Sequence, residues 1–159
     1  SAYDFMPTLL DYLGLKPLDM AKRPGVSFVP ALLGQGFERP GGIVVMDEYG
    51  PNRMLRDQRY KYIARYPYGP NALYDLKADP GEQDNLLAHG GFEALEQELR
   101  GRLEKWFAKY VNPEIDGARE AVFGSGQIGL AGLWGAGVSA HSCDDYIKKN
   151  PNYALYRVK

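Results

Sequence analysis

Midway along this chain the apolar residues change period, from every second position to every third or fourth. In RYKYIARY, residues 59–66, Tyr60, Tyr62, Ala64 and Tyr66 fall on one side of an extended backbone, with Lys61, Ile63 and Arg65 on the other. That is a strand with two unlike faces. Further on, Phe92, Leu95, Leu99, Leu103, Trp106 and Tyr110 recur at spacings of three and four, with Glu, Gln, Arg and Lys between them. This predicts a helix over 92–110 with one apolar seam. A one-sided sheet and a one-seamed helix bury their apolar surfaces against each other, so the helix is expected to cover the sheet.

More strands surround the first. GIVVMDEY, Gly42–Tyr49, reads as a strand, and its unbroken apolar run Ile43–Met46 predicts cover on both faces. Arg53–Asp57 and ALYDL, Ala72–Leu76, are two others. Asp57-Gln58 and YPYGPN supply the turns between neighbours. Strands joined this tightly pair antiparallel. The expected class is α+β: a small four-stranded antiparallel sheet packed on one long helix, with a short N-terminal helix and a Gly-rich irregular tail.

That N-terminal helix is predicted over residues 4–13, DFMPTLLDYL, with Asp4 helping to cap it, Pro7 in the first turn and Gly14 as the stop. Phe5, Met6, Leu9, Leu10, Tyr12 and Leu13 cover more than one stripe, so it needs burial on most sides. So short a helix would struggle to find that cover within this chain. Residues 15–41 are loop-like, with a helical turn expected over 29–33. Beyond Val111, GSGQIGLAGLWGAGVSA is rich in small residues, and Tyr146–Lys149 could form one helical turn.

Composition excludes several functions. With 19 basic and 20 acidic side chains the formal charge is −1, which does not suit nucleic-acid binding. No apolar run approaches the roughly 18–20 residues of a membrane span, and the N-terminus lacks the basic region of a signal peptide. The single cysteine, Cys143, leaves no internal disulfide. A soluble chain is the expectation, with its compartment left open by these features. The 12 tyrosines suit a half-buried sheet face or an interface, and self-association into a homo-oligomer is one use for them.

Two segments carry a family resemblance. One is Asp4 with PTLLDYLGL, Pro7–Leu15; the other is MLRDQRYKYI, Met54–Ile63, followed by LYDLKADPGEQDNL, Tyr74–Leu86. Their order resembles the C-terminal third of the sulfatases, in the alkaline-phosphatase-like superfamily. PEIDGARE, Pro113–Glu120, and the GSGQ after it resemble the tails of some bacterial members. The resemblance implies that residues 1–41 end the catalytic domain, 42–110 form a C-terminal subdomain, and 111–159 are a tail. It also implies a parent that hydrolyses sulfuric esters with a formylglycine and a divalent cation, usually calcium, and whose N-terminal catalytic domain is this chain's partner. The same segments are compatible with a phosphate or phosphonate ester hydrolase, and a stand-alone binding or oligomerisation module remains an alternative.

The signature has its own physical logic. Asp79-Pro80-Gly81-Glu82 is turn sequence, with proline presetting φ and glycine permitting φ > 0. Asp79 can cap the next turn with Glu82 as a capping-box partner, and Leu86 can return to the core. It is a connector rather than a catalytic motif.

The catalytic parts themselves are not encoded. Cys143 stands in HSCDDYIKK, outside the C/S-x-P-x-R pattern of the modified residue, and no serine fits that pattern. Asp144-Asp145 does not follow an apolar strand and lacks the further acidic residues that a hard cation needs. His89 lies in a turn and His141 in the tail, which makes no zinc site. No catalytic residue and no metal ligand is therefore assigned. Glu48, Tyr49, Arg53 and Arg56 lie at a strand end and turn, and in the family the corresponding face packs towards the catalytic domain. An arginine there could hold a sulfate or a sugar carboxylate bidentately, so these four are the candidate substrate-binding residues.

Overall fold

The computed structural model of the chain describes residues 1–15, 19–47, 52–66 and 69–116. Four strands form a meander in sequence order, each antiparallel to the next: β1 (Ile43–Met46), β2 (Asn52–Arg56), β3 (Tyr60–Arg65) and β4 (Ala72–Asp75). Register places Val44, Leu55, Tyr62 and Leu73 in one row across the sheet. On that face lies the long helix α3 (Glu93–Tyr110), packed over β2 and β3. Val44, Leu55, Tyr62, Ala64 and Leu73 of the sheet, with Leu99, Leu103 and Phe107 of the helix, make the core. The expected α+β architecture is what forms, because alternation in β3 and the seam in α3 leave one apolar surface each.

The helix seam differs in one residue. Leu99, Leu103 and Phe107 follow a strict i, i+4 row and are buried, whereas Trp106 is half-buried beside it. Trp106 instead meets its neighbours edge-on to Phe107 and tilted to Tyr110, with its ring 5.1 Å from each of theirs.

The expectation of cover on both faces of β1 fails. Val44 is buried, but Val45 is 47% exposed and Met46 50% exposed. β1 is an edge strand beyond the main span of α3, so the continuous apolar run does not signal a strand buried on both sides.

At the N-terminus a 3-10 turn over Ala2–Asp4 runs into α1 (Phe5–Tyr12), and Gly14, at φ 65°, ends it. A single helical turn, α2 (Val29–Leu32), packs beside α1. Asp4 makes no side-chain cap on α1; its carboxylate turns towards the following loop. Thr8 links the two segments too, donating to the Asp4 carbonyl (2.7 Å) and accepting from Phe28 N–H (3.1 Å). As expected of so short a helix apolar on most sides, Phe5, Leu9 and Tyr12 of α1 and Leu13 just after it are exposed, as are Leu32 of α2 and Leu33 just after it.

In the connector after β4 the Asp79 carboxylate accepts Asp84 N–H (2.9 Å), the capping expected of it, but the other devices differ from those its sequence suggests. The positive φ falls on Glu82 (54°), not on Gly81, and the Glu82 carboxylate pairs with Lys61 instead of closing a capping box. Asn85 is the true organiser. Its side chain accepts from Leu73 N–H (2.9 Å) and Leu87 N–H (3.2 Å) and donates to the Asn71 carbonyl (3.2 Å). Leu86 returns against the core as expected. Among the described residues no helix is long and apolar enough to cross a membrane.

Candidate functional site

Of the four candidate residues, Glu48 and Tyr49 lie outside the described residues, as do Cys143, His141, Asp144-Asp145 and the predicted turn Tyr146–Lys149. Arg53 and Arg56 both stand on β2, and the two-residue period of a strand puts them on opposite faces.

Arg53 points to the helix side and is 6% exposed. Its guanidinium lies 3.8 Å from the centroid of the Phe107 ring and 5.1 Å from that of Tyr66, and it pairs with Asp116. A buried arginine needs such partners, since an uncompensated charge there would be strongly destabilising. Burial raises the pKa of the Tyr66 hydroxyl, and the neighbouring Arg53 charge only partly offsets it.

Arg56 is exposed and lines a groove of about 640 Å³ between residues 37–43, the β2–β3 turn and the first half of α3. Ile43, Tyr60, Leu95 and Leu99 supply its apolar lining. Three other arginines in it are already engaged: Arg39 with Asp4 (2.9 Å), Arg59 with Asp75 (2.9 Å) and Arg102 with Asp57 (2.8 Å). Burial acts to raise the Asp57 pKa, but the backbone N–H of Tyr60 and the Arg102 guanidinium outweigh it and hold the carboxyl below its usual range. Among the described residues Arg56 has no ion pair; it borders the groove from the end of β2, on the strand face opposite α3.

Among the described residues no nucleophile with an adjacent base accompanies these arginines. His89 sits 2.6 Å from Asp84 in an exposed pair, remote from any third ligand. Among the described residues no group of three or more His, Cys, Asp or Glu side chains could hold a metal ion. The donor set of the described residues does not fit the calcium that the sulfatase resemblance implies, and no residue of the sequence fits the formylglycine pattern.

Sequence reasoning missed Arg39, Arg102 and Asn85. The first two act through partners far along the chain, and no local pattern marks them.

No protein-family profile matches the chain. A Delta 4,5-hexuronate-2-O-sulfatase of Bacteroides thetaiotaomicron is 33% identical over 113 residues, covering 67% of this chain and 23% of the relative. The solved structure of a 2-O GAG sulfatase superposes with a TM-score of 0.56 at 32% identity, over 66% of this chain and 24% of that one. The chain is homologous to part of a sulfatase. Its match reaches only about a quarter of a sulfatase's length. The solved phosphonate monoester hydrolase of Agrobacterium radiobacter is also similar, with a TM-score of 0.53 at 27% identity over 75% of this chain and 27% of that one. Such a spread fits the alkaline-phosphatase-like superfamily to which the sulfatases belong.

Proposed function

We propose that this chain is the C-terminal subdomain of a sulfuric-ester hydrolase. It closes the catalytic domain and lines part of its substrate pocket, while nucleophile and cation come from elsewhere in the enzyme. The observation that carries this reading is the apolar face left bare by α1 and α2, in a chain homologous to a quarter of a sulfatase. A cluster of exposed apolar side chains on a small domain is a contact surface. On this reading residues 1–41 finish the catalytic domain, 42–110 form the subdomain, and 111–159 are the tail.

The substrate class proposed is a sulfated carbohydrate, after the names of its relatives, among them an ulvan-active sulfatase of Formosa agariphila. Glu48, Tyr49 and Arg56 would meet its polar groups, and Arg53 would support that end of the sheet. The proposed setting is the cytoplasm or periplasm of a bacterium. The likeness to a phosphonate monoester hydrolase favours one alternative, a parent that cleaves phosphonate or phosphate esters.

Assaying the chain alone, and joined to its upstream reading frame, against an aryl sulfate and a phenyl phosphonate with calcium tests the proposal. The expected result is no turnover by the chain alone and sulfate release by the joined protein. Metal-dependent turnover by the chain alone would overturn it, and selective phosphonate cleavage by the joined protein would favour the alternative. Light scattering of the isolated chain separates a third case: a stable dimer that buries α1 would mark an assembly module.

A further inference from the structure

Arg39 ties together three stretches of chain that are far apart in sequence. Its Nε and Nη2 donate to the two carboxylate oxygens of Asp4, at 2.9 and 3.0 Å. Nη2 also donates to the Pro24 carbonyl (3.3 Å), and Nη1 donates to the carbonyl of Gly42. Asp4 in turn accepts Val26 N–H at 3.0 Å. Beside it the Tyr3 ring lies 5.1 Å beneath the Arg39 guanidinium and 6.1 Å from the Trp106 ring, and its hydroxyl accepts Val44 N–H at 3.0 Å. The entry to α1, the loop after it and the start of β1 are thus held at one junction.

The junction leads straight to Arg56. Gly42 adopts φ 80°, and a Cβ there would stand 2.7 Å from the Arg56 carbonyl oxygen, so the two backbones touch. The β1–β2 register begins in the next residue, with Ile43 opposite Arg56. Arg39 and Arg56 also line the same groove. The Arg39 junction thus holds the backbone on which Arg56 stands, an arginine with no ion pair among the described residues.

We infer that Arg39 is a positioning residue: through Gly42 it sets where Arg56 stands relative to α1, the helix by which the chain docks onto its catalytic domain. The inference rests on the proposed function for its kinetic consequence and on the geometry alone for its structural one. A bidentate guanidinium fixes orientation as well as distance, which a lysine cannot do.

The kinetic experiment uses the whole enzyme that contains this chain, assayed on a 2-O-sulfated hexuronide. Arg39→Met should raise KM about tenfold with a smaller change in kcat, as expected when a binding group is displaced. Arg39→Lys should recover part of that loss. The double variant Arg39→Met with Arg56→Ala should be no worse than Arg56→Ala alone, because coupled residues are non-additive. Additive losses, or an unchanged KM with lowered thermal stability, would overturn the inference. Amide hydrogen exchange on the same variants supplies the second readout. Arg39→Met should speed exchange at Val26 and Val44 and leave the β2–β3 ladder unchanged; uniform acceleration across the sheet would mean a general stabiliser. A wild-type enzyme that releases no sulfate would sink the proposed function, and the exchange pattern would then decide the junction by itself.

Discussion

Replacing Asp4 by Asn removes the charge at the centre of the Arg39 junction and keeps the side chain's size. Asp4 is 3% exposed. Burial is the largest influence on its carboxyl and pushes the pKa up. The hydrogen bonds from Arg39, Val26 N–H and the Ser1 ammonium, with the Arg39 charge, together outweigh it and bring the pKa from 3.8 to about 2. That lowering, at about 1.36 kcal/mol per pH unit, is worth roughly 2 kcal/mol of folding stability at neutral pH. The unfolded chain binds this proton more tightly than the folded one. The contribution is therefore complete above about pH 4 and is lost as pH falls towards 2. Asp4→Asn should cost at least that much at pH 7, rising to about 3–5 kcal/mol if Arg39 is left as an uncompensated buried charge. Urea unfolding of both chains from pH 7 down to pH 2 measures the difference between them, in which the other carboxylates cancel. The gap should narrow steadily below pH 4. A gap that is constant with pH would refute the reasoning, since the lost interaction would then not be with an ionised carboxylate.

Other substitutions probe separate parts of the fold. Leu103→Ala, at a fully buried position facing the sheet, should cost about 2–5 kcal/mol in urea unfolding. Gly25→Ala would place a Cβ 2.0 Å from the Tyr3 carbonyl oxygen; the α1 junction should loosen, seen as faster exchange at Val26 and a stability loss of about 1–3 kcal/mol. Leu9→Ser with Tyr12→Ser, both on the exposed face of α1, should lower binding of an apolar dye to the isolated chain while its urea midpoint stays nearly constant. Under the proposed function the same pair should lower the thermal stability of the joined protein, where that face would be covered.

The meander and α3 were legible because both periodicities were intact. Tyr60, Tyr62 and Ala64 alternate without interruption, and Leu99 and Leu103 anchor the helix row. Phe107 was displaced from the predicted seam by Trp106, since spacings of three and four fit a helix almost equally well and only packing on the sheet chooses between them. β1 misled for a related reason. An apolar run reports what the side chains can tolerate, not whether an edge strand finds a second layer, and among the described residues Val45 and Met46 of β1 stay exposed. In the connector, local turn rules favoured Gly81 for positive φ. The observed choice, Glu82, is compensated by its carboxylate reaching Lys61 on β3, a contact no local rule contains.

The two arginines of β2 show where local reading stops. Their opposite faces follow from parity alone: Leu55 must face α3, so Arg53 faces it too and Arg56 does not. What parity cannot supply is how a guanidinium survives on the buried face. That depends on Phe107 in α3, Tyr66 past the end of β3 and Asp116 beyond α3, brought together only by folding. Arg53 is therefore committed to the fold, and a ligand would have to break its pairing with Asp116 to use it. Arg56 carries no such commitment, yet its place depends on Gly42, and Gly42 on an arginine that answers to Asp4 in another segment. An anion contact whose position is set from the entry to α1 gains from α1 being held in turn by a larger body. That dependence runs from the bare helix to Arg56, and under the proposed function it is the physical reason to assay the joined protein rather than this chain alone.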